Sequence, residues 1–342
     1  MPAELTVVPN RSLEFWFPDG DVILSCPQPD GRPFVYRVHR FILSQHSMPF
    51  AEMFKTESLA PRQTLEGLPV LPLPEPATEI YKLLCCLYNA LNRAAFHDLE
   101  RPITRYDWLL RISIQYKIGP LRESIISQLK TEWPIALAGW DAREAHIGVL
   151  RRQHAAAGGR VHNMWLDDRL SEPVLTIHTA RSIGLLQLLP AAFYDLTRRD
   201  PRADWNALHT VATRLLPENE RLLAQGVRSA RWSALSAQDL LVLAGLKETL
   251  SMLVRDMWDC KRMAQMAHPA CELRRNEILD RAKEMAIVTR DPLHAAQVAR
   301  QYTTNAGMCK PCEAEVVKCF LTFRVCCWQT LVKKFLKQGC IN

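Results

Sequence analysis

The spacing of hydrophobic residues changes near residue 39. Before it, apolar residues recur at every second position, as in strands: Val22, Leu24 and Cys26, then Phe34, Tyr36 and Val38. The stretch Pro29-Asp30-Gly31 between these runs is a turn signal, so an antiparallel hairpin is predicted. After it the period approaches four, which predicts one amphipathic helix with this stripe: His39, Leu43, His46, Phe50 and Phe54.

Further patterns extend this order along the chain. Val70-Leu71-Pro72-Leu73 predicts a short strand, and helices are predicted around Ile80 to Leu91, over 105–118, and from Pro120 to Trp133. Beyond Pro134 we expect no more strands. Helical patterns cover 137–154, 174–183, 186–197 and 314–337, and a capping box, Ser236-Ala-Gln-Asp239, opens another helix. The pattern therefore predicts an α+β protein.

The first part of this order resembles the core signature of the BTB/POZ domain. The residues that carry the resemblance are Asp21-Val-Ile-Leu, Val38-His39-Arg40, Ile42-Leu43, Ser47, Phe50, Met53-Phe54 and the elements that follow them. Later segments resemble large fungal, basidiomycete-type BTB proteins with a helical C-terminal region; these are Glu172-Pro173-Val174, Thr179-Ala180-Arg181, Leu189-Pro190-Ala191-Ala192-Phe193-Tyr194 and Ala230-Arg231-Trp232-Ser233-Ala234-Leu235.

The resemblance implies a division into domains. We expect an irregular N-terminus over 1–14 and a BTB/POZ domain, a small sheet flanked by helices, over 15–135. A mostly α-helical region over 136–342 follows, with a flexible break near 155–172, where Ala155-Ala-Ala-Gly-Gly-Arg160 lies.

The resemblance also implies a protein-recognition scaffold that dimerises or docks partners. In similar domains the Asp and the early helix contribute to a dimer contact, so Asp21, His39 and Arg40 are candidate interface residues. The apolar run Phe15, Trp16 and Phe17 supplies candidate anchors, because a few large side chains usually carry most of the binding energy. Away from an interface, His39 is expected to be a packed, hydrogen-bonded histidine.

Composition and the first residues of the chain bear on the class of protein and its compartment. Of 342 residues, 48% are hydrophobic and 23% charged, which is ordinary for a globular chain, and no apolar run approaches the length of a membrane span. The start, Met1-Pro-Ala-Glu-Leu, has neither the basic nor the apolar part of a secretory signal. We therefore expect an intracellular protein, in cytoplasm or nucleus, whose 11 cysteines are reduced.

Cys309-Lys-Pro-Cys312 has the spacing of a metal half-site. Two thiolates separated by two residues can bind one zinc ion from a tight turn, and a closed tetrahedral site needs two more ligands. Cys260 and Cys271 are the best remaining pair, with His268 as a substitute. The alternative is that these cysteines are reduced, partly buried residues and that the protein has no cofactor.

Motifs for catalysis are missing from the sequence. It contains no Gly-rich phosphate loop, nucleophile elbow or HExxH, which together with the BTB/POZ resemblance predicts a non-enzymatic protein–protein interaction protein. The resemblance also implies an alternative, a substrate adaptor of a cullin ubiquitin ligase, although Phe54-Lys55-Thr56-Glu57 has one residue too many for the hydrophobic-x-Glu contact usual in such domains. Another is a DNA-associated regulator using the basic C-terminal tail, with these residues: Lys318, Arg324, Lys333, Lys334 and Lys337.

Overall fold

The computed structural model describes residues 3–4, 8–29, 31–59, 63–88, 107–210, 216–257 and 268–336. The protein is α+β, with a small N-terminal sheet and a mostly helical remainder. The chain divides into two compact units, Met1–Gln128 and Leu129–Asn342. None of the helices in the described ranges combines the length and the apolar character needed to cross a bilayer.

The first unit contains a six-stranded sheet. Its strands are β1 (Ala3–Glu4), β2 (Asn10–Trp16), β3 (Val22–Cys26), β4 (Phe34–Val38), β5 (Gln63–Leu65) and β6 (Leu68–Pro72), in the spatial order β1-β5-β6-β3-β4-β2. The predicted hairpin is confirmed: β3 and β4 pair antiparallel with Leu24 opposite Tyr36. Gly31 takes a φ of 77° in the turn between them, as only glycine does readily. Strand β6 pairs with β3 in parallel.

The irregular N-terminus expected over 1–14 is wrong, because β2 begins at Asn10 and pairs in parallel with β4. The register shifts between Arg11 and Trp16, and the Ser12 Oγ accepts a hydrogen bond from the Phe15 N–H at 3.0 Å inside this irregularity. This bulge places four residues of β2, 12–15, opposite a single residue of β4, Tyr36. It therefore interrupts the every-second-residue pattern by which a strand is recognised in sequence.

The single helix predicted after His39 is two helices. The helices before Trp133 are α1 (Arg40–His46), α2 (Met48–Leu59), α3 (Ala77–Tyr88), α4 (Asp107–Gln115) and α5 (Gly119–Glu132). The break falls at Ser47, which is extended and buried. Its Oγ donates to the Tyr116 carbonyl at 2.6 Å and accepts from the Phe50 N–H at 3.2 Å, so the serine ends α1 and begins α2.

The second unit is mostly helical. Its helices are α6 (Leu137–Ala156), α7 (Leu166–Arg169), α8 (Pro173–Ser182), α9 (Leu189–Thr197), α10 (Trp205–His209), α11 (Pro217–Ala224), α12 (Ala237–Met257), α13 (Pro269–Thr289), α14 (Pro292–Thr303) and α15 (Lys310–Leu336). The predicted capping box opens α12: the Asp239 N–H donates to the Ser236 Oγ at 3.1 Å. In α15, Phe320, Trp328, Leu331 and Phe335 are buried, whereas Leu321 and Val325 are exposed.

The flexible break expected near 155–172, and the absence of strands after Pro134, are both wrong. Strands β7 (Arg160–Val161) and β8 (Met164–Trp165) form a hairpin whose turn residues His162 and Asn163 have positive φ, as a tight hairpin turn requires. Trp165 and the residue after it, Leu166, are buried, which anchors the hairpin. Two-residue strands are too short to show a period in the sequence.

A buried ionic cluster lies in the core of the second unit. The fully buried Asp195 carboxylate lies 2.5 to 3.6 Å from the guanidinium nitrogens of Arg143, Arg198, Arg199 and Arg228. Burial alone would raise the pKa of Asp195, but the positive charges around it, Arg228 first, hold that pKa well below its usual range. Asp195 is therefore ionised and neutralises part of this cationic core.

Candidate metal centre

Four potential metal ligands lie at the N-termini of two helices in the second unit. His268 immediately precedes α13 and Cys271 is the third residue of that helix; Cys309 immediately precedes α15 and Cys312 is its third residue. The residue before a helix and its third residue face the same side of the first turn. Pro269 and Pro311 lie within those first turns, where the fixed φ of proline favours a helix start.

Three of the distances between the four ligand atoms match tetrahedral spacing. The Sγ atoms of Cys271 and Cys309 are 3.7 Å apart, and the His268 Nδ1 lies 3.5 Å from the Cys309 Sγ and 3.8 Å from the Cys312 Sγ. All four atoms lie within 4.8 Å of one another. A tetrahedral zinc ion, at about 2.3 Å from sulfur and about 2.0–2.1 Å from nitrogen, sets its ligand atoms about 3.5–3.8 Å apart. This His/Cys cluster can therefore hold a metal ion.

The surroundings of the cluster favour a thiolate at Cys309. The Cys312 backbone N–H hydrogen-bonds to Cys309 and lowers the pKa of the Cys309 thiol to about 7. The Cys309 N–H in turn donates to the Cys271 Sγ at 3.5 Å. Both helix N-termini direct the positive end of their dipoles at the sulfur atoms. The Cys312 thiol donates to the Cys309 sulfur, which raises the pKa of Cys312 to about 11.

Burial differs across the cluster. Cys271 and Cys312 are buried, Cys309 is half-buried and His268 is exposed. The cluster is therefore closed on the protein side and reachable from solvent on the histidine side, which gives an ion a way in.

Three of the four cysteines predicted as ligands are brought together, namely Cys271, Cys309 and Cys312. The fourth, Cys260, lies outside the described residues, and the substitute His268 completes the cluster. One signal in the sequence favours His268. The segment His268-Pro-Ala-Cys271 repeats the two-residue spacing and the proline of Cys309-Lys-Pro-Cys312.

The candidate interface residues divide into core and surface positions. Phe15 is only 2% exposed and packs edge-on against Tyr36 and Tyr81, so its side chain belongs to the core of the first unit. Trp16 and Phe17 are half-buried: the Arg11 guanidinium lies over the Trp16 ring at 4.5 Å, and Phe17 stacks on a tyrosine, Tyr88, at 5.0 Å.

Asp21 contacts the start of α1, where His39 immediately precedes the helix and Arg40 is its first residue. The exposed Asp21 carboxylate accepts a hydrogen bond from the Arg40 N–H at 2.8 Å, so Asp21 caps the helix from a distance in sequence. His39 is half-buried, with its Nδ1 3.1 Å from the Tyr88 hydroxyl and its Nε2 3.3 Å from an Asp19 carboxylate oxygen. It is hydrogen-bonded as predicted.

Sequence reasoning missed several highly exposed apolar residues of the first unit. Phe41 on α1 is 70% exposed, Met48 at the start of α2 is 63% exposed, and Leu13 on β2 is fully exposed. Comparison of the chain with protein-family models, with curated proteins and with solved structures found no match.

Proposed function

We propose that this chain is a non-enzymatic protein-interaction protein, whose BTB/POZ-like first unit self-associates and whose helical second unit is held together by a structural zinc ion. The order of elements supports the first part. The hairpin of β3 and β4 is followed by α1, α2, β6, α3, α4 and α5, in the order that the resemblance predicts.

The observation that carries self-association is the exposure of large apolar side chains beside the start of the helical layer. Phe41 and Met48 place most of their apolar surface in water, and each would gain about 1.5–3 kcal/mol on full burial. The neighbouring candidate residues Asp21 and Arg40 fix the start of α1 through their hydrogen bond. A second copy of the chain, offering the same α1 face, is the partner we propose.

The His/Cys cluster supports the second part of the proposal, a structural zinc ion in the second unit. Four protein ligands complete a tetrahedral shell and leave no open position for a substrate, which is the arrangement of structural rather than catalytic zinc sites. The ion would join the starts of α13 and α15, which are separated in sequence by α14. A closed site of this kind supports a scaffold rather than an enzyme.

The geometry of the basic segment disfavours the DNA-associated alternative. Arg324 is buried, and its guanidinium donates to the Leu293 carbonyl and the Gln297 side chain. The Lys334 Nζ donates to the Gly245 carbonyl and the Thr249 hydroxyl. These cations are engaged within the second unit, so they have fewer donors left for phosphates.

Self-association is tested by light scattering on the full chain after gel filtration. We expect twice the chain mass of 39.1 kDa for the wild type and 39.1 kDa for the double variant Phe41→Asp/Met48→Asp. Val288→Asp, which adds a charge at another highly exposed apolar position, is the matched control and should leave the mass doubled. A wild-type protein that stays monomeric at tens of micromolar, or a double variant that still pairs, would contradict the proposal.

A further inference from the structure

A cavity of about 600 Å³ lies between α12 and α13 in the second unit. Small-molecule sites in proteins have volumes of about 300–1,000 Å³. Helix α12 lines the cavity with residues spaced three and four apart. The apolar floor of the cavity includes the buried side chains of Leu250, Val254 and Ala286. Ile287 continues the apolar lining and is 64% exposed. The cavity therefore offers an elongated apolar surface with an open side.

Four cations lie around this apolar floor. Lys247 and Arg255 belong to the α12 stripe, Lys283 belongs to α13 and Arg290 directly follows that helix; among the described residues that line the cavity, none is acidic. Burial, and then the charge of Arg290, lower the pKa of Lys247. Lys247 and Arg290 thus place positive charge at the same part of the cavity.

We infer that this cavity binds an anionic amphiphile, a molecule with one linear acyl chain and a carboxylate head. The apolar floor suits the chain, because binding there removes its methylenes from water. Lys247, Lys283 and Arg290 suit the head, since hydrogen bonds between charged partners are about twice as strong as neutral ones. A cationic amphiphile would meet repulsion from these cations, and a small hydrophilic anion would leave the apolar floor in water.

Binding is tested by titration calorimetry on the full chain with dodecanoate as the probe. We expect saturable binding of one molecule per chain. Dodecan-1-ol shares the alkyl chain and lacks the charge, and acetate shares the head and lacks the chain. Both should bind at least tenfold more weakly, because each loses one of the two sources of affinity.

Variants of the lining locate the site. Lys247→Gln and Lys283→Gln should each weaken dodecanoate binding about tenfold, since each removes a charged partner of the head. Lys333→Gln removes an exposed lysine on α15 and is the matched control, expected to bind as the wild type does. Ala286→Trp fills the floor of the cavity and should abolish binding, with circular dichroism reporting that the fold is kept.

Several results would overturn the inference. One is no saturable binding of dodecanoate to the wild type, and another is equal binding of dodecan-1-ol. Binding that Lys247→Gln and Lys283→Gln leave unchanged would place the ligand elsewhere. If an acidic amphipathic peptide bound in a Lys247-dependent manner while dodecanoate did not, the cavity would be a peptide-docking groove instead.

Discussion

At the scale of single residues, the metal cluster depends on where its ligands lie within their helices. Cys312 and Cys271 are each the third residue of a helix, and the residue before each helix supplies the other ligand of the pair. The same positions that normally cap a helix with a side-chain acceptor here hold sulfur and imidazole. Each pair is thus preorganised by its own helix, and only the approach of α13 to α15 requires the tertiary fold.

Replacing one buried ligand should release the metal. We expect Cys312→Ser to weaken zinc binding by more than about 100-fold, because structural zinc sites are worth about 10–16 kcal/mol and one of the four ligand bonds is lost. Bound zinc, measured by atomic absorption after dialysis, should fall from one ion per chain to a trace. Cys319→Ser, at a half-buried cysteine on α15 outside the cluster, is the control and should keep the full content. A wild type without zinc after purification in its presence would refute the site.

The buried carboxylate of Asp195 is the second residue on which stability depends. Asp195→Asn would leave Arg198, Arg199 and Arg228 facing one another without their shared counter-ion. Breaking a buried pair in this way costs about 3–5 kcal/mol. Urea unfolding should show this loss, whereas Asp200→Asn, at a more exposed carboxylate paired with Arg202, should change the midpoint little. Equal midpoints for the two variants would mean that the cluster is not stabilising.

At the scale of elements, the sequence predicts those strands and helices that are long enough to show a hydrophobic period. The hairpin of β3 and β4 and the helices predicted over 137–154, 174–183 and 314–337 have clear periods, and the structure contains them. Strand β2 is not predicted because its bulge interrupts the alternation of apolar and polar residues. Strands β7 and β8 are not predicted because a strand of two residues is too short to show a period. Cys309 and Cys312 are readable from their spacing, whereas their partners depend on tertiary packing.

The break between α1 and α2 provides a test at this scale. Ser47→Ala removes the hydroxyl that donates to the Tyr116 carbonyl and accepts from the Phe50 N–H. Because both partners are buried, we expect a loss of about 1–2 kcal/mol in the free energy of unfolding. Ser44→Ala, at a half-buried serine on α1, is the matched control, with little change expected in the same urea titration. An unchanged midpoint for Ser47→Ala would show that the break forms without this serine.

At the scale of the whole molecule, the α+β class follows from the sequence, but the ionic core of the second unit does not. Arg198 and Arg199 follow Asp195 by three and four residues, whereas Arg143 and Arg228 come from distant parts of the chain. Only folding brings Arg143 and Arg228 to Asp195, so the complete cluster and its effect on stability cannot be read from local patterns. The charges nevertheless determine how the molecule responds to acid.

The acid response follows from the sign of these pKa changes. Burial would raise the pKa of Glu144, but the nearby Arg198 and Arg143 lower it from 4.5 to about 2, and the pKa of Asp195 is lowered further below its usual value. Groups whose pKa is lower in the folded state stabilise it above their unfolded pKa and lose that effect as the pH falls. The urea midpoint should therefore decrease steadily from about pH 4.5 towards pH 2. Glu144→Gln should flatten this decrease, while Glu284→Gln, at an exposed site on α13, should leave its slope unchanged. A midpoint independent of pH over this window would mean that the carboxylates gain nothing from the arginines around them.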